Sequence, residues 1–252
     1  MEVNIVGPKV YFEIPIDIPV LGRLQISETL VISWLVMLII LGLCIFFTHN
    51  LKVENISKRQ ALAEMIVETA DKFVIGNMGE KFAYLIPFVS ALFATSIISN
   101  LISLLGFRSP TADLNTEAAW AIVVFTMITA QKIKSSGLGG YLKGFTQPIP
   151  VMTPFNVLSE LATPISMACR HFGNILSGVV INGLIYGALA LASSALLGLI
   201  PGVVGDFLSN IPILAVGIPA ITSVYFDWFS GAMQAFIFCM LTTMYIANAS
   251  EG

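Results

Sequence analysis

Long apolar runs separated by short polar stretches dominate this chain. Residues 29 to 48, 82 to 107, 171 to 205, 207 to 226 and 228 to 250 each continue for about 20 residues or more without an Asp, Glu, Lys or Arg, enough for a helix to cross the hydrocarbon of a bilayer. A closed β-barrel, the other spanning solution, needs alternating segments of about ten residues, which are absent. The pattern therefore predicts an all-α, polytopic membrane protein with about five membrane segments.

Between the first two runs, Leu62, Met65, Ile66, Ala70, Phe73 and Val74 recur at three- and four-residue spacing, while Glu64, Glu68, Asp71 and Lys72 occupy the other face. This describes an amphipathic interfacial helix over 56–75. A third segment is expected from about Ala118 to Ala130, after a loop broken by Pro110. From Gly144 to Gly252 the chain reads as a long, tilted helical hairpin of two arms, with Pro201, Gly202, Gly205, Asp206 and Pro212 marking the connection. Arms longer than a perpendicular crossing must tilt or bend. Pro164, Gly173, Gly178 and Gly183 on the first arm, with Gly217 and Pro219 on the second, supply bends and smooth faces. The expected organisation is an external N-terminal segment 1–28, N-terminal membrane helices 29–143, and the hairpin 144–252.

Composition agrees with lipid as the main solvent: of 252 residues, 56% are hydrophobic and 11% charged, against about 25% charged in soluble domains. Lys52, Lys58, Arg59, Lys72 and Lys81 follow the first run, and Lys132, Lys134 and Lys143 follow the third. By the positive-inside rule both stretches, 49–81 and 131–145, face the cytoplasm, with the N-terminus outside and the C-terminus inside. The N-terminus lacks the basic start and apolar centre of a cleaved signal and is expected to stay on the mature protein. The net charge of −3 comes with no basic tract, so nucleic acid is not an expected partner. Cys44, Cys169 and Cys239 lie in apolar runs without metal-ligand spacing and read as packing residues.

Against this background Arg170 stands out as a single arginine deep in the membrane body and the expected functional centre. Arginine inside a membrane is costly and, with a pKa above 12, cannot relay protons. It can pair with a carboxylate and repel cations. Asn156, Glu160, Thr163, Ser166, Arg170, Asn174 and Ser177 form one helical stripe, and Ser223, Asp227, Ser230 and Gln234 repeat the pattern on the second arm. Two such stripes can line aqueous cavities shielded from lipid; individual Ser, Thr and Asn residues also serve as helix glue. His49 and His171 lack a second partner at helical spacing, and His171 reads as structural. The glycines of "KSSGLGGYLKG" lack the Gly-Lys-Ser/Thr ending of a phosphate loop and read as a flexible turn. Ser177 lacks the glycine frame of a nucleophile elbow.

The segments "PISMACRHFGNILSG", "QAFIFCMLTTMYIANASE" and "PTADLNTE" resemble subunit a of the F-type ATP synthases, and the order of segments resembles it over nearly the whole chain. The resemblance matches the family's arginine to Arg170, its asparagine to Asn174 and its glutamine to Gln234. It implies a stator subunit, itself non-catalytic, beside a ring of c subunits. Peripheral-stalk b subunits are further expected partners, in a bacterial plasma membrane and without a cofactor. The implied work is conduction of H⁺ or Na⁺ through two half-channels, involving Asp227, Ser223, Ser230 and Ser177, with Asn156 and Glu160 near the inner one. Val179 departs from the family pattern, standing where many members carry a titratable or polar residue. A secondary transporter using Arg170 for an anionic substrate, and an assembly subunit without conduction, are the alternative readings; the first predicts internal repeats, and none is visible.

Overall fold

The computed structural model of the chain describes residues 8–18, 22–147, 149–198, 222 and 224–250. Helices dominate it. The N-terminal segment, set apart from the membrane helices, forms a small antiparallel hairpin of β1 (Val10–Ile18) and β2 (Gly22–Ser27). Its alternating side chains suit a pleated ribbon, and Gln25 Nε2 donates to Glu13 Oε1 across it at 3.0 Å.

Ser27 then caps α1 (Glu28–Thr48) by accepting from Leu30 N. Helix α1 is apolar all round and buries only a narrow seam, Thr29 together with Ile32 and Val36, the latter two against Ile102, as befits a helix bathed in lipid. The amphipathic helix appears as α2 (Lys58–Met78), capped by Ser57 and closed at Gly79 with φ 84°, a conformation that favours glycine. Val74 and Met78 anchor it in the main core, whereas Met65 and Ile66 stay exposed. The second run forms a 3₁₀ turn (Glu80–Leu85), α3 (Ile86–Leu101) and another 3₁₀ turn (Ile102–Leu105).

The loop around Pro110 packs inward. Ser109 Oγ donates to Ser99 O at 2.6 Å, Thr111 Oγ1 donates to Asn100 Oδ1 at 2.6 Å, and Asn100 Nδ2 donates to Gly231 O at 3.0 Å. These bonds satisfy polar groups that water cannot reach and tie the loop to the last helix.

Helix α4 (Leu114–Gly144) overruns the expected third segment. The chain leaves helical geometry at Gly137 (φ 72°, ψ 165°), inside the glycine-rich stretch expected as a turn, and a second helical segment follows across this kink to Gly144. Glycine lowers helix propensity by only about 1 kcal/mol, so a packed helix can include several. A Cβ at Gly140 would lie 2.9 Å from Ser136 Cβ, so the helical turn after the break has no room for a larger residue there. The first arm is α5 (Thr153–Leu197), 45 residues with Pro164 inside. At 1.5 Å per residue that is about 68 Å of helix, so the expected long arm is present. The connection 199–221, with its prolines and glycines, and Ser223 lie outside the described residues. The second arm is described from a π-helical turn (Val224–Ser230) into α6 (Gly231–Asn248).

Four helical stretches among the described residues are long and apolar enough to cross a membrane: Glu28–Thr48, Glu80–Leu105, Pro150–Leu197 and Trp228–Asn248. Helix α4, the expected third crossing, is not among them; Glu117 and Lys132 bound its uncharged stretch. It packs mainly along α5. The core of Val89, Val124, Met167, Phe238, Cys239 and Ile246 joins α3, α4, α5 and α6. Side-chain bonds sort the bundle into two ends. Thr29 Oγ1 donates to Asp113 Oδ2 at 2.7 Å at one end. At the other, Lys81 Nζ reaches Ser250 Oγ at 2.9 Å and Ser135 Oγ reaches Ser250 O at 3.0 Å.

Candidate functional site

The polar stripe of α5 is held by packing on its opposite side. Met167, Ala168 and His171 are buried against α4 and α6, which turns Arg170, about 100° further round, away from the bundle. Arg170 is exposed on the chain. Its guanidinium therefore lies on an outer face of the chain and is not enclosed by it, because the buried side of the helix is set by its neighbours Ala168 and His171.

The two stripes meet. Asn174 Nδ2, one turn beyond Arg170, donates to Ser230 Oγ at 2.8 Å, joining α5 to the π-helical turn. Ser230 ends that turn and Asp227 lies within it; the Asp227 side chain is outside what the structure describes. A π turn adds a residue to the helical repeat and so re-aims the side chains that follow. Gln234 is buried in α6 at 5% exposure. Ser177 is exposed and donates to Asn174 O of its own helix at 2.8 Å, the helix-local bonding of a hydroxyl. Val179 is also exposed and offers nothing that titrates.

Glu160 and Asn156 lie at the other end of α5. Lys132 Nζ contacts both Glu160 oxygens, at 2.6 and 2.8 Å, a pair only partly open to solvent. Asn156 Nδ2 donates to Phe145 O and Gln147 O at 2.8 and 2.9 Å, fixing the chain just before α5. Beside them opens a polar cavity of about 580 Å³, bordered by Lys132, Tyr141, Asn156, Ser159, Glu160 and Asn248. A smaller one of about 190 Å³ shares Lys132, Glu160 and Asn248 with it. Burial, and then the negative Glu160, push the Tyr141 phenol above its ordinary range.

One pair was missed in the sequence. His171 Nδ1 lies 3.0 Å from Glu117 Oε2, with both side chains fully buried. Trp120 and Phe238 flank the imidazole, with ring centroids 6.2 and 5.6 Å away. His171, which lacks a partner at helical spacing on its own helix, finds one on α4 instead. The available signal was an acid at the edge of one apolar segment and an imidazole inside another, both far from water.

A family profile described as ATP synthase A chain matches residues 30–247. This chain belongs to the ATP synthase subunit a family. Among its relatives, "ATP synthase subunit a, sodium ion specific" of Propionigenium modestum is 31% identical, with 96% of this chain and 85% of the relative aligned. "ATP synthase subunit a 1" of Hahella chejuensis is 32% identical over 92% of this chain and 87% of its own. The subunit of that name from Chlorobaculum parvum is 34% identical over 91% of each. Subunit a membership places the chain in an ATP synthase complex, as an integral membrane protein whose setting is ion transport and ATP synthesis.

Proposed function

We propose that this subunit a is the ion-conducting stator of a rotary motor, with Arg170 separating two half-channels that serve a passing carboxylate on a c-subunit ring. The observation that best supports this reading is the 2.8 Å contact between Asn174 and Ser230. It brings the polar stripes of both arms together beside a guanidinium that faces away from its own chain. An arginine in lipid needs an anionic partner, and an exposed face leaves room for one from another subunit.

In the mechanism, an ion from outside passes Asp227, Ser223 and Ser230 and neutralises the ring carboxylate. The neutral acid then rotates into lipid, where an anion would cost far more. After nearly a full turn it reaches the inner cavity near Asn156 and Glu160 and releases its ion. Arg170 favours the ionised carboxylate as it passes and repels cations that would leak straight through. Each unit charge moved across 100 mV supplies about 2.3 kcal/mol, so a leak would dissipate the drive. Peripheral-stalk b subunits hold the chain against the torque, and a bacterial plasma membrane is the proposed setting.

Asp227→Asn tests the outer half-channel. It preserves shape and hydrogen bonding but removes titration, and should lower ion-driven ATP synthesis by roughly 10-fold or more at equal assembly. Adding Val179→Glu should restore part of the rate if both side chains face one cavity. A wild-type rate in Asp227→Asn would assign Asp227 a structural role.

Orientation is a separate expectation. Lys81 and Ser135 meet the C-terminal Ser250 at one end, and the lysine-rich stretches place that end in the cytoplasm. In a cysteine-free background, Ser57→Cys should react with an impermeant maleimide only after the cytoplasmic face is opened. Labelling from outside intact cells would invert the topology.

A further inference from the structure

The Glu117–His171 pair takes no part in the mechanism above, yet it is a buried titratable pair without an aligned hydrogen bond among the described residues. Both residues have no exposure. Although Nδ1 and Oε2 are 3.0 Å apart, neither ring nitrogen and neither carboxylate oxygen has an aligned hydrogen-bond partner among the described residues. A structural pair retained only for packing would gain from aligned bonds or from apolar replacement. Keeping two titratable groups in contact and otherwise unsatisfied suits a site where a proton moves.

Polar features lie on both sides of the pair. At the end of the bundle where α1 and α4 begin, a cavity of about 360 Å³ is lined by Gln25, Ser27, Thr29, Ser33, Asp113 and Trp120. Asp113, Glu117 and Trp120 follow at intervals of four and three residues and share one face of α4. Trp120 therefore borders both the cavity and the imidazole. On the other side, His171 precedes Asn174 by three residues, and Asn174 bonds Ser230. Between Arg170 and Leu197, His171 is the only imidazole on α5, and no carboxylate occurs there.

We propose that Glu117 and His171 form a second proton relay, linking the cavity at the start of α1 and α4 to the Asn174–Ser230 contact beside Arg170. Glu117 takes a proton from water in the cavity and passes it from Oε2 to His171 Nδ1. The imidazolium releases its other proton from Nε2 toward the hairpin, and exchange of the tautomer or reversal of the ring resets it. The net result is one proton moved, with no change of charge on the pair at the end of the cycle. The inference rests on the stator reading, and it commits the ion to H⁺, since an imidazole can shuttle a proton but not carry a metal cation through both its nitrogens.

The test is ATP synthesis driven by an imposed proton gradient in sodium-free vesicles containing equal amounts of assembled complex. Glu117→Gln and His171→Gln should each lower the rate roughly 10-fold or more, the double variant should be no slower than the slower single one, and Glu117→Asp should retain most of the rate. The double variant places two amides that can still pair across the same gap, so it keeps the packing while abolishing titration. A wild-type rate in it would overturn the relay. So would failure of all these variants, the double included, to assemble, because the pair would then serve only to hold α4 against α5. A requirement for Na⁺ in the unmodified complex would overturn it too. Arg170→Ala separates the two readings: if that variant still synthesises ATP, the stator reading falls, whereas an inactive Arg170→Ala beside a normal double variant removes the relay alone.

Discussion

Arg170→Ala is expected to reduce ion-driven ATP synthesis roughly 100-fold or more, equivalent to about 2.7 kcal/mol at the limiting step, while the complex assembles in near-normal amount. The two halves of this result have separate causes. The guanidinium lies exposed on α5 while Met167, Ala168 and His171 do the packing, so truncation removes little from the fold, as for most surface positions. The lost rate comes from the passing carboxylate, which would no longer meet a fixed positive charge. Arg170→Lys should rescue poorly. An ammonium is a compact, strongly hydrated charge that can lose its proton away from water, whereas guanidinium keeps its charge and forks two hydrogen bonds. The measurement is synthesis per assembled complex, with assembly quantified on native gels. Near-normal synthesis in the alanine variant would remove Arg170 from the mechanism, and loss of the complex itself would make the residue structural.

Gly231→Val is expected to destabilise the chain by about 2–4 kcal/mol, from steric overpacking together with one orphaned buried amide. A Cβ at this position would sit 2.9 Å from Asn100 Cβ and 3.1 Å from its Cγ and Nδ2. The obstruction is the root of the neighbouring side chain, which cannot swing aside as a flexible tip would. Asn100 would lose its bond to Gly231 O, and Thr111 would lose the orientation of the Asn100 Oδ1 it donates to. Because Gly231 follows directly on Ser230, the displacement also reaches the Asn174–Ser230 contact. The variant should lower both the recovered complex and its thermal midpoint in detergent, with Gly231→Ala intermediate. Unchanged recovery and midpoint in Gly231→Val would show that α3 and α6 separate at little cost.

The sequence alone determined the solvent, the class of fold and the identity of the polar stripes. Apolar runs of membrane length, the lysine-rich stretches and the three- and four-residue spacing of Arg170, Asn174 and Ser177 are properties of single segments, legible without knowing what they touch. The long first arm was legible for the same reason. Tertiary structure decided what single segments cannot. The N-terminal alternation became a β-hairpin because two strands could pair, and the glycine-rich stretch narrowed to a kink at Gly137 with helix on both sides. Arg170 faces outward because its neighbours are claimed by α4 and α6. Glu117 and His171 lie 54 positions apart in the chain, and no periodicity relates residues on different helices. Which side of each helix meets which neighbour depends on close packing over the whole bundle, and that packing put an acid from one helix against an imidazole from another.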